Sequence, residues 1–100
     1  MPHIHALNFR IHFDSTYDQR YASVVEAAKR ETVSSYWDET TSCLLIESSK
    51  NSRQLAESID ANSQFAGTKD MLVVINLSEK GYTAIGDVKD GDLHRLMSKR

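Results

Sequence analysis

Apolar and polar positions alternate in the first clear signal of the chain. Leu7, Phe9, Ile11 and Phe13 point one way, and Asn8, Arg10, His12 and Asp14 the other. A period of two predicts a half-buried strand with one wet or partner-facing side. The period then lengthens: Tyr17, Tyr21, Val24, Val25 and Ala28 form a helical stripe, which predicts a helix over residues 17–31. Thr16 and Gln19 have the spacing of a capping box, and Asp18 in the first turn suits the helix dipole. Val33, Tyr36 and Trp37 favour a pleated surface, so a second strand is expected over 33–37.

Beyond the polar turn Asp38-Glu39-Thr40, the segment 42–47 reads as a third strand, apolar on both faces at its centre and hence internal to a sheet. Residues 49–52 offer N-caps for a helix that turns Leu55, Ala56 and Ile59 inward, with Phe65 packing just past its end. Asp70 opens the strongest strand, 71–77. Residues 78–81 make a turn, 82–85 return as a short hairpin strand, and a tail helix is expected over 93–97. The order is β-α-β-β-α-β with a short fifth strand and a C-terminal helix. Two helices cannot cover both faces of such a sheet, so they pack on one and leave the other to solvent or a partner. The fold class is α+β, a ferredoxin-like plait in one domain over residues 1–100.

Composition narrows the classes without naming a function. One hundred residues with 40% hydrophobic and 26% charged side chains match an ordinary globular domain and exclude a disordered tail or a collagen-like repeat. At this size roughly 60–70% of the unfolded surface is buried, enough for one core. No apolar run reaches the roughly 20 residues that span a bilayer, and no signal-peptide core follows Met1, so no membrane partner is expected. A lone cysteine, Cys43, points to a reducing, cytoplasmic setting. The net charge of −2 requires any nucleic-acid role to rest on cations segregated to one face.

Several segments together resemble a known family. They are Phe13-Asp14 at the end of the first strand, Tyr21 and Glu26-Ala27-Ala28-Lys29 on the helix, and the aromatic pair Tyr36-Trp37. With them go Thr41 to Glu47, Gln54-Leu55 and Asp70 to Val74. The chain is similar, over about residues 5–86, to the small ferredoxin-like proteins related to the CRISPR-associated spacer-acquisition endoribonucleases, in particular to standalone SinR-like members. The resemblance implies a two-fold homodimer formed through sheet edges and C-terminal strands. It also implies a role for Asp14 near the dimer axis in divalent-metal-dependent phosphodiester cleavage.

Asp14 is accordingly the candidate catalytic residue and Mg²⁺ ligand: Mg²⁺ takes hard oxygen donors and often only one or two carboxylates, which a dimer axis would supply. The plainer role is a carboxylate that caps the turn Ser15-Thr16. Arg10, His12 and Arg20 are the candidates for contact with RNA or DNA, the arginines holding phosphate and His12 exchanging a proton near neutral pH; the plainer role is a solvated strip. His3 and His5 make too few ligands for a closed zinc site, and Cys43 reads as core. Tyr36 and Trp37 read as one core and one interface aromatic. Asp87, Asp90 and Asp92 lack the ligand alternation of a calcium loop, and Asp92 is expected to cap the tail helix. Arg95, Lys99 and Arg100 form a small basic cluster. Two functions follow: a non-catalytic homodimeric module, nucleic-acid-related or part of a defence system, that meets a protein partner through a sheet edge; or a metal-dependent endoribonuclease or endodeoxyribonuclease using Asp14.

Overall fold

The computed structural model describes residues 2–100. Its elements are β1 (His3–Arg10), α1 (Tyr17–Arg30), β2 (Tyr36–Trp37), β3 (Cys43–Ser48), α2 (Ser52–Ala61), β4 (Met71–Asn76), β5 (Tyr82–Gly86) and α3 (Asp92–Met97). The strands form one antiparallel sheet in the order β2-β3-β1-β4-β5. This is an α+β ferredoxin-like plait whose fifth strand is added beyond β4.

The pleat sorts the strand residues. Leu7 and Phe9 of β1, Leu44 and Ile46 of β3, and Leu72 and Val74 of β4 share the inner face. There they meet Val24, Ala27 and Ala28 of α1 and Leu55, Ala56 and Ile59 of α2. Both helices thus cover the same face, as the two apolar stripes require. Asn51 caps α2: its side chain accepts from the backbone N–H of Gln54, whose own side chain accepts from the N–H of Asn51.

Several boundaries differ from the sequence expectation. The first strand begins four residues earlier, because His5 turns inward although nothing marks it as apolar. It also ends at Arg10, so Phe13, placed in the same apolar row by alternation, lies outside the sheet and is 82% exposed. The second strand shrinks to two residues. Thr16 makes no side-chain cap to α1, and Gly91 rather than Asp92 precedes α3. No described helix is long and apolar enough to cross a membrane.

Gly86 closes β5 in a conformation that only glycine holds without strain, at φ +91°. A Cβ there would stand 2.1 Å from the Asp70 carbonyl oxygen, with the Phe65 ring beside it. The chain's last strand is thereby pressed against the start of β4, and the N–H of Asp87 donates to that same carbonyl at 2.7 Å.

Candidate functional site

The turn between β1 and α1 carries His12 and Asp14, and two carboxylates organise its surroundings. Asp14 Oδ1 accepts from the backbone N–H and the hydroxyl of Thr16, both at 2.9 Å, and from Arg20 Nη2 at 3.0 Å. Its Oδ2 accepts from Lys69 Nζ at 2.6 Å. Four donors thus converge on this carboxylate, three on Oδ1 and one on Oδ2. Lys69 first, then Arg20, holds the Asp14 carboxyl well below the usual carboxylate range.

The second carboxylate, Asp70, is fully buried. It accepts from Arg20 Nη1 on both oxygens at 2.5 Å, from the N–H of His12 at 2.8 Å and from the N–H of Ala66 at 2.9 Å. Burial alone would raise its pKa. The Arg20 guanidinium and the two backbone donors outweigh that and hold the carboxyl below its ordinary value.

Arg20 therefore faces inward rather than toward a phosphate. It is only 5% exposed, and its remaining donors reach the Thr16 hydroxyl at 3.0 Å and the His12 carbonyl at 2.6 Å. The candidate phosphate contact named from sequence thus has its donors engaged within the chain. The cluster balances in charge: Asp14 and Asp70 against Arg20 and Lys69. A divalent cation at Asp14 would meet the Lys69 ammonium and the Arg20 guanidinium already on that carboxylate, so within one chain the donor set does not fit a Mg²⁺ site. Among the described residues, no three His, Cys, Asp or Glu side chains gather as a metal site.

The other candidates lie apart from this cluster. His12 is exposed just past the end of β1, its backbone rather than its ring tied to Asp70 and Arg20. Arg10 projects from the outer face of β1, where Nη2 donates to the Asp87 carbonyl at 2.8 Å. The polar strip expected to carry Asn8, Arg10, His12 and Asp14 together is thus divided, since β1 ends at Arg10. Asp70 was legible only as the opener of β4. Its partners lie 50 and 58 residues away in sequence, a separation no local pattern reveals.

The uncovered side of the sheet is the other large feature. Trp37, Leu45, Ala6, Ile75 and Tyr82 stand in one register row across all five strands. Cys43, expected in the core, belongs to this face and is half-buried; its neighbours across the sheet are Asn8 and Val73. Tyr36 and Trp37 are both exposed, with Lys29 over the Tyr36 ring at 4.8 Å. The face is not wholly bare. α3 leans over its β4–β5 corner, where Tyr82 Oη meets His94 Nδ1 at 2.8 Å and Arg100 sits over the Tyr82 ring. None of the residues of α3 is buried.

His3 and His5 do share one side of β1, as two residues of a strand must. Their rings are 6.3 Å apart, yet they serve different partners: His3 accepts from Asn76 Nδ2, and His5 Nε2 meets the Lys50 carbonyl at 3.0 Å. In the C-terminal region, Asp87 lies 3.6 Å from both Arg10 and Lys89, and Asp92 pairs with Arg95. No family model, curated protein or solved structure matches this chain.

Proposed function

We propose that the chain is a non-catalytic module that forms a homodimer through the part of its open sheet face left free by α3, on β2, β3 and β1. Such a module suits a nucleic-acid-related or defence system in a reducing cytoplasmic compartment. The apolar row of Trp37, Leu45 and Ala6 is the observation that carries this reading, with Ile4 40% exposed nearby on β1. Contiguous apolar surface of this kind marks association sites, and tryptophan is a preferred anchor at them. The sheet's edge strands are short, two residues in β2 and five in β5, which disfavours the alternative of pairing edge to edge. The engagement of Asp14 by Thr16, Arg20 and Lys69 supports the non-catalytic half of the reading.

Light scattering on a sizing column tests the assembly. The wild-type chain is expected at about 23 kDa, twice its 11.3 kDa, and Leu45→Glu at the single-chain mass. A wild-type monomer at micromolar concentration overturns the dimer. Mg²⁺-dependent cleavage of RNA or DNA that vanishes in Asp14→Ala would overturn the non-catalytic assignment.

A further inference from the structure

Between α3 and the outer face of β1 and β4 runs a cleft of about 330 Å³, within the size range of small-molecule sites. Its walls are Met71 and Val73 on the sheet, Val88 in the connecting loop, and Leu93 and Leu96 on α3. Arg10 lies at the edge. We propose that this cleft binds an amphiphilic carboxylate of medium chain length, with the acyl chain between α3 and the sheet and the carboxylate on Arg10.

Three observations converge on that ligand. Arg10 is anchored through Nη2 alone; its Nη1 and Nε make no hydrogen bond within the described chain, and its side chain is 46% exposed. A guanidinium whose Nη1–H and Nε–H groups are unpaired at an apolar mouth has donors left for a carboxylate. The acids at the rim are already engaged. Asp87 faces Arg10 and Lys89, Asp90 accepts from the N–H of Asp92, and Asp92 pairs with Arg95. Arg10, Lys89 and Arg95 balance the three aspartates, so an entering anion meets no net repulsion. Finally, Leu96 is 61% exposed and α3 buries none of its residues. A ligand in the cleft gives this helix the apolar contact that it lacks, which is a direct gain from burial.

The ligand's two ends make separable contributions. Each methylene added within the cleft should tighten binding about fourfold, the fold-change equivalent of about 0.8 kcal/mol. The head group should favour carboxylate over alcohol of equal length through Arg10.

Calorimetric titration of the full chain with hexanoate, octanoate, decanoate and octanol, followed by amide chemical shifts, tests both. Affinity is expected to rise along the three acids, octanoate to bind at least tenfold tighter than octanol, and shifts to concentrate in 92–97 and 71–73. Arg10→Gln should erase the preference for octanoate over octanol while sparing the chain-length trend. Val73→Trp should fill the cleft and abolish binding; should that variant fail to fold, Leu96→Gln on the exposed helix should weaken all of the acids alike. No binding of decanoate at millimolar concentration, equal affinity for octanoate and octylamine, or an unchanged preference in Arg10→Gln overturns the proposal. These readouts do not depend on oligomeric state, so they succeed or fail separately from the dimer.

Discussion

His5 predicts how the fold responds to acid. The ring is fully buried on the inner face, and Nε2 lies 3.0 Å from the Lys50 carbonyl, so Nε2 carries the proton of the neutral ring. Nδ1 is buried with no hydrogen-bond partner. Protonation would add an N–H there with nothing to receive it. Burial pushes the His5 pKa below its ordinary 6.5; the bond to the Lys50 carbonyl opposes this, and nearby His3 adds to the lowering. The unfolded chain therefore takes up this proton more readily than the folded one. The stabilisation from a neutral His5 is complete above pH 6.5 and is lost as the pH falls toward the lowered folded-state value. The slope approaches about 1.4 kcal/mol per pH unit, so at pH 5.5 up to about 1.4 kcal/mol is gone. That is a sizeable part of the roughly 5–15 kcal/mol typical of a domain. Urea unfolding at half-unit steps from pH 8 to 5 measures it, with His5→Gln as the reference. The amide can still donate to the Lys50 carbonyl but does not titrate, so its curve should be flatter over this range. The carboxylates of Asp14 and Asp70 titrate below the usual carboxylate range and leave the window clear. An identical slope in wild type and His5→Gln would refute the reasoning.

Two further substitutions probe the junction at the start of β4. Gly86→Ala should lower stability by about 3 kcal/mol or more in denaturant unfolding, because the new Cβ meets a backbone carbonyl and not a movable side chain; a loss under about 1 kcal/mol would show that the strand end shifts freely. Asp70→Ala should cost about 3–5 kcal/mol, since it strands the buried Arg20 guanidinium and two backbone donors; a near-neutral result in the same assay would mean that water replaces the carboxylate.

Much of the fold was legible because its signals are local. The stripe from Tyr17 to Ala28 and the N-cap stretch 49–52, within which Asn51 caps α2, are short-range patterns, and α1 ends one residue before the expected limit. What failed was set at a distance. Alternation runs through Phe13, yet the sheet releases the chain at Arg10, since the His12 N–H goes to Asp70 on another element. His5 reads as polar and is buried, because the carbonyl that receives it belongs to Lys50, 45 residues on. Cys43 sits among apolar neighbours in sequence, but strand parity turns it to the outer face. For the site, Asp14 was expected at the end of the first strand, whereas it lies in the turn between β1 and α1, and its two alternative roles differ in what its oxygens meet. Thr16 makes two of the four hydrogen bonds, as local capping of the turn requires, while the other two come from Arg20 and Lys69, neither adjacent in the chain.

Asp70 joins distant stretches at a single residue. Its carboxylate holds the exit of β1, the first turn of α1 through Arg20, and the approach from Ala66, while its carbonyl holds Asp87 after β5. The exit of β1 and the end of β5 are thus coupled through one side chain and its residue's carbonyl. A domain this small thereby gains cooperativity from one knot rather than from bulk.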